Sequence, residues 1–137
     1  MQTRLTGTEF TVDVLVDHDG TLACAVPRWR LVTKAGISTT SRTFDSPALV
    51  AAVGHLTSAV ALTGSANVQG FMAADGAIGF TEVNPRMSGG LPLSLAAGAD
   101  LVGEYLRGLE GLPVRPERLK ARSDVTMLRH FAEVYVG

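Results

Sequence analysis

Two short runs hold the side chains best suited to chemistry. Asn67-Val68-Gln69 and Phe80-Thr81-Glu82-Val83-Asn84-Pro85-Arg86 flank an Asp75-Gly76 pair. Asp-Gly between apolar, partly alternating segments signals a β-hairpin. With Asp75-Gly76 at the centre, a two- or four-residue loop gives the same register: Gln69 opposite Glu82, and Asn67 opposite Asn84. Directly opposed residues share a face, with Cβ atoms roughly 5 Å apart. Glu82 and Asn84 are two apart and share that face as well. Oxygen ligands grouped in this way suit a hard cation such as Mg²⁺. Arg86, just past the strand, is placed to reach a phosphate or acyl-phosphate oxygen. Buried sheets also hold polar pairs for purely structural reasons, and from the residues alone both readings stand.

These runs need a sheet to carry them. Residues 9–16 alternate, with Phe10, Val12, Val14 and Val16 on one face and Glu9, Thr11, Asp13 and Leu15 on the other. That pattern predicts a strand with one buried face. Residues 21–34 predict a second strand, broken or bulged near Pro27, which has no N–H for a ladder. Arg28, Arg30 and Lys34 fall on one of its faces, either as a solvated edge or as a basic wall for a carboxylate or phosphate. Residues 37–44 read as a Ser/Thr-rich strand covering an edge. Ser46-Pro47 opens a helix with an N-cap residue and a proline at its first position. Leu49, Val53, Leu56 and Val60 form its apolar stripe, and Gly64 is placed to cap its end. His55 adjoins that stripe and is expected to be only partly exposed and not to serve as a ligand.

The hairpin spans residues 66–84. Beyond it, Ser88-Gly89-Gly90 either turns the chain or brings backbone N–H groups close to an anion. Residues 92–97 make a short helix ended by Gly98, and Asp100 caps another that runs to Glu110. Residues 114–124, with Arg115, Arg118, Lys120 and Arg122, read as a solvated loop. Residues 125–136 read as a final strand, with His130 structural. The sum is an α+β domain: a mainly antiparallel sheet with helices packed on one face.

Asn67-Val68-Gln69 followed by Glu82-Val83-Asn84-Pro85-Arg86 resembles the C-terminal signature of the ATP-grasp superfamily. The nearest flavour is the large subunit of carbamoyl phosphate synthetase and related carboxylate–amine ligases. Leu5 to Leu15 resembles the strand that opens the family's C-terminal lobe. Ser88-Gly89-Gly90 and Ala96 to Leu101 resemble the segment after its metal motif. The resemblance covers residues 5 to 110. It implies ATP and two Mg²⁺ ions as cofactors, with Mn²⁺ as a substitute, and a small-molecule carboxylate activated as an acyl phosphate. It also implies roles. Glu82 bridges the metals, Gln69 and Asn84 each serve one, Arg86 steadies the phosphoryl group, and Glu9 lies near ribose and substrate. Many relatives have Glu at the place of Gln69, which weakens that metal's hold here. Without its metals, a partly buried Glu82 is desolvated, so Glu82→Gln is expected to leave stability unchanged or raise it.

The resemblance covers one lobe of a two-lobed site. No glycine-rich loop with phosphate lysines precedes it, and the adenine-contacting segment would end near residue 1. Residues 1–137 are therefore expected to be a single domain, the C-terminal lobe, completed by an N-terminal lobe in cis or trans and incomplete on its own. An exposed cleft face also favours a homo-oligomer. The alternative is a non-catalytic nucleotide-binding or regulatory module that docks with a partner chain.

Composition sets outer bounds. The chain has 137 residues, 46% of them hydrophobic and 18% charged, which suits one domain with its own core. A net charge of −1 gives no field for nucleic acid or an anionic membrane. No apolar run approaches the roughly 18 residues of a membrane span. The lone Cys24 permits no internal disulfide, which fits a reducing cytoplasm, and it reads as a core thiol.

Overall fold

The structure, a computed structural model, describes residues 5–130 and 132–137. The region where an adenine-contacting segment would end lies outside the described residues, as does residue 131. Six antiparallel strands form one sheet in the order β5-β4-β1-β2-β3-β6. They are β1 (Thr8–Val16), β2 (Leu22–Lys34), β3 (Ile37–Thr43), β4 (Gly64–Met72), β5 (Ile78–Asn84) and β6 (Thr126–Leu128). Among the described residues three α-helices accompany them, α1 (Pro47–Ala59), α2 (Leu91–Ala97) and α3 (Leu101–Leu109), with a short 3-10 helix at Pro116–Arg118.

The α+β class and the antiparallel sheet stand as expected, but the helices divide between the two faces. Phe10, Val12, Val14 and Val16 of β1 pack with Leu49 and Val53 of α1 and with Ala66 and Val68 of β4. On the opposite face Leu15, Cys24 and Val26 pack with Leu91 of α2, Leu101 of α3 and Leu119. β1 is thus covered on both sides, and Thr11 and Asp13 are buried too. The one-faced reading failed because polar residues on the second face satisfy one another beneath α2 instead of meeting water.

Local signals explain the elements. Ser46 Oγ accepts from Leu49 N at 3.3 Å, and Pro47 takes the first turn of α1. Leu49 and Val53 are fully buried, each contributing about 1.5–3 kcal/mol by removal from water. The helix stops earlier than predicted. Val60 is its exposed end, Ala61 takes a left-handed φ of 49°, and Gly64 begins β4. His55 is exposed. Gly98, at φ 114°, ends α2, and Asp100 Oδ1 caps α3 by accepting from Gly103 N at 3.0 Å.

Pro27 sits inside β2 without a break, paired with Val12. Its carbonyl accepts from Phe44 N, just past the last residue of β3. Its missing N–H faces that same side, so the proline forgoes only one bond at the end of the β3 ladder and none to β1. The irregularities of β2 fall instead at Arg30–Thr33, against β3, and at Leu22–Cys24, against β1. β3 covers no edge, because β6 pairs outside it. The last strand is also short: residues 125–136 were expected to be extended, but β6 holds only Thr126–Leu128.

Candidate functional site

The hairpin register is as predicted: Gln69 opposes Glu82, and Asn67 opposes Asn84. It arises from two deviations that cancel. The turn places three residues, Ala74 to Gly76, between Ala73 and Ala77, whose N–H and C=O bond at 2.9 Å. Gly76 adopts φ 87° there, and Asp75 Oδ1 accepts from Ala77 N at 3.0 Å. That loop would offset the pairing by one residue. A β-bulge between Gln69 and Gly70, with Thr81 the extra residue, restores it. Gly70 permits the bulge, since a Cβ there would sit 2.3 Å from Gly79 O.

Register then gathers one polar face. Thr11 lies beside both Arg28 and Gln69, and Asp13 lies beside Asn67. With Glu82 and Asn84 they share the face opposite α1. Arg30 Nη1 donates to Gln69 Oε1 at 2.6 Å, and Gln69 Nε2 donates to Asn67 Oδ1 at 3.0 Å. Asn67 Nδ2 donates in turn to Thr11 Oγ1. Glu9 Oε1 stands 3.2 Å from Arg30 Nε, an ion-pair distance without hydrogen-bond alignment, so Arg30 Nε is buried and unmatched. On the edge strand, Asn84 Nδ2 donates to Glu82 Oε1 at 3.0 Å, and Glu82 is exposed.

A cleft of about 260 Å³ opens on this face. Arg28, Arg30, Gln69, Arg86, Ser38 and Gly89 are among its lining residues, and among the described residues no carboxylate lines it. Arg86 is exposed and bonds the carbonyl of Met87 at 3.1 Å. Of the predicted set, Glu9 and Gln69 come together around Arg30, while Glu82 and Asn84 pair with each other just outside the cleft lining. Among the described residues no group of three His, Cys, Asp or Glu is arranged for a metal. The donors are instead one carboxylate and two amides. Such a set fits a hard cation that keeps waters and shares phosphate oxygens, rather than a closed protein cage. The Gln69 oxygen is already engaged by Arg30, so Glu82 and Asn84 are the freer ligands.

Arg28 and Arg30 are not a solvated edge. Arg28 is buried, with Nη2 donating to Asp13 Oδ1 and to Ser88 Oγ, each at 2.9 Å. Lys34, beyond the β2 irregularities, is exposed. The Arg28–Asp13 pair was missed as a site element, although strand parity already put Asp13 with Thr11 and Arg28 with Arg30. The loop arginines were misread as well. Arg115 binds the buried Glu104, and Arg118 binds Asp100, each at 2.7 Å.

The family described as "ATP-grasp in the biosynthetic pathway with Ter operon" matches residues 1–131. The chain belongs to the ATP-grasp family. The fold of this ATP-grasp chain recurs in the complete multifunctional pyruvate carboxylase of Rhizobium etli, at TM-score 0.69 and 20% identity, covering 88% of this chain and 14% of that one. It recurs in the phosphoribosylaminoimidazole carboxylase ATPase subunit of Aquifex aeolicus, at TM-score 0.68 and 17% identity, covering 82% and 37%. It recurs too in carboxyaminoimidazole ribonucleotide synthase of Aspergillus clavatus complexed with ATP, at TM-score 0.68 and 18% identity, covering 88% and 33%. The ATP-grasp chain thus spans well under half the length of these proteins. No curated protein matches it. Among the described residues no helix is long and apolar enough to cross a membrane.

Proposed function

We propose that this chain is the C-terminal, ATP- and Mg²⁺-binding half of an ATP-dependent carboxylate ligase that works through an acyl phosphate. The observation that carries the reading is the shared face: Gln69 opposite Glu82 and Asn67 opposite Asn84, beside a carboxylate-free cleft that Arg86 lines. A silent docking module would have no use for an exposed carboxylate–amide pair beside Arg86, which forms no ion pair among the described residues.

Glu82 and Asn84 would hold Mg²⁺ together with phosphate oxygens, and Gln69 would join only by sharing the oxygen that Arg30 holds. Mg²⁺ there would neutralise phosphate charge during transfer. The chain's own contribution is positioning. Arg86 meets the anionic phosphoryl or acyl-phosphate oxygens, where a guanidinium offers parallel donors. Arg30 keeps Gln69 and Glu9 aligned on the sheet. Glu9 stays within reach of ribose and substrate at the strand end. The substrate is a small carboxylic acid, and the nucleophile is fixed by parts of the site this lobe does not contribute.

A second lobe, in cis or trans, is required to cover the triphosphate. This chain alone is therefore expected to bind Mg²⁺·ATP only in a millimolar range, equivalent to roughly 4 kcal/mol, and to turn nothing over. Titration followed by amide NMR should move Glu82, Asn84 and Arg86. In the protein containing both lobes, acid-dependent ADP release with hydroxylamine trapping should yield a hydroxamate. Shifts confined to other faces, or turnover by this chain alone, would overturn the reading.

A further inference from the structure

Three guanidinium groups line the cleft, and their charges are not equivalent. Arg28 is paired with Asp13. Arg30 stands beside Glu9. Arg86 bonds a neutral backbone carbonyl. Arg86 is therefore the cation left to meet an anion, and Arg28 has another task.

Arg28 is the largest fully buried side chain in the described structure, and Asp13 is 2% exposed. Burying an ion pair costs desolvation that its own attraction roughly offsets, and a well-packed apolar pair often serves a core as well. Stability alone does not account for the pair. What an apolar pair lacks is donors. One nitrogen of Arg28, Nη2, bonds both Asp13 Oδ1 on the sheet and Ser88 Oγ on the loop after β5. Ser88 Oγ also accepts from Gly90 N at 3.2 Å, and the second Asp13 oxygen accepts from Ser94 Oγ of α2 at 2.6 Å. Gly90 lies directly against the guanidinium: a Cβ there would sit 2.2 Å from Arg28 Nη1. The loop is thereby fastened to the centre of the sheet at both Ser88 and Gly90, two and four residues beyond Arg86.

We propose that Arg28 is a positioning residue. Through Ser88 and Gly90 it fixes the loop of residues 85–90 and so sets the direction in which Arg86 meets an anion in the cleft. The proposal rests on the reading of Arg86 as the anion-binding group.

The test uses amide hydrogen exchange and pyrophosphate titration on this chain. Arg28→Lys keeps a charge opposite Asp13 but loses the fork, and Ser88→Ala removes only the loop acceptor. Both variants should preserve the amide fingerprint of β1, β2 and α1 while raising exchange at Ser88–Gly90 by roughly tenfold. Arg28→Lys and Arg86→Gln should each weaken pyrophosphate binding, by roughly fivefold, and the double variant should be no weaker than Arg86→Gln alone. Unchanged loop exchange, or losses that add in full, would overturn the proposal. If Arg28→Lys does not fold, Ser88→Ala supplies both readouts, including the cycle with Arg86→Gln. If Arg86→Gln leaves pyrophosphate binding untouched, the functional reading of Arg86 fails, and loop exchange alone decides whether Arg28 holds the loop.

Discussion

Gln69 stands directly opposite Glu82, yet the two side chains answer to different partners. Gln69 Oε1 accepts from Arg30 at 2.6 Å, and Glu82 Oε1 accepts from Asn84 at 3.0 Å. One end of the motif is capped by a fixed cation and the other is open to solvent. On the proposed function, cation binding would fall mainly to Glu82 and Asn84.

Glu82→Gln should change stability by no more than about 0.5 kcal/mol, the range for exposed positions away from packing. The sequence suggested a desolvated carboxylate whose loss leaves stability unchanged or raises it. Its exposure removes the desolvation argument and leaves neutrality. In a two-lobed enzyme the same change should nearly abolish phosphoryl transfer, with Asn84→Ala hurting less. Urea melts of this chain and single-turnover ADP release by the larger protein check the two halves. A large destabilisation would mark Glu82 as a structural hydrogen-bond centre.

Gly90→Ala should destabilise by about 1–3 kcal/mol, the usual cost of overpacking. The clash is with the tip of an arginine, which ordinarily swings away. Arg28 cannot, being held by Asp13 and Ser88 with 1% exposure. Gly89→Ala is the control, because a Cβ there meets nothing within 4 Å. Equal melting temperatures for the two variants would show that the guanidinium yields.

The legible parts of this fold were those with local signals. Ser46-Pro47, Gly98 and Asp100 each mark a helix boundary through their own backbone or side-chain chemistry, and each sits where expected. The Gln69–Glu82 pairing was right for an incomplete reason. The turn and the bulge each shift the ladder by one residue, and only Gly70, with a role set by Gly79 across the ladder, hints at the second shift. Arg28 and Glu104 were not legible. Each is buried by partners distant in sequence, Asp13 and Ser88 in one case and Arg115 in the other, and no local pattern encodes such pairing. The end of α1 was overrun because Val60 continues the apolar spacing although it faces water.

Glu104 predicts a pH dependence. Its carboxylate is fully buried and accepts from Arg115 Nη2 at 2.7 Å, Nε at 2.9 Å and N at 2.8 Å. The bond to the Arg115 side chain, set against burial, holds its pKa below the ordinary 4.5. A depressed folded value means stability that is present above 4.5 and lost as pH falls through the folded value. Thermal melts should therefore drop on acidification below that point. Glu104→Gln should cost about 1–2 kcal/mol at neutral pH, a charged hydrogen bond reduced by the exposure of Arg115, and should flatten the acid limb. An unaltered acid limb in that variant would assign the dependence to other carboxylates.

Cys24 predicts the opposite slope. Its thiol is buried and donates to Leu119 O at 3.3 Å. Burial, aided by the negative charge of Asp13, pushes its pKa from 9.0 up to about 12. A raised folded value gives stability that is complete below 9.0 and lost as pH rises toward 12. At pH 8 only roughly one folded molecule in ten thousand carries a thiolate, so a disulfide reagent should label through opening of the structure. Labelling should accelerate with urea in step with global unfolding, and Cys24→Ala should remove the alkaline loss of stability. A rate independent of urea would instead mean that the segment around Leu119 lifts away locally. The thiol would then be guarded by a loop that opens without the sheet, and the alkaline loss of stability would be limited to the free energy of that opening.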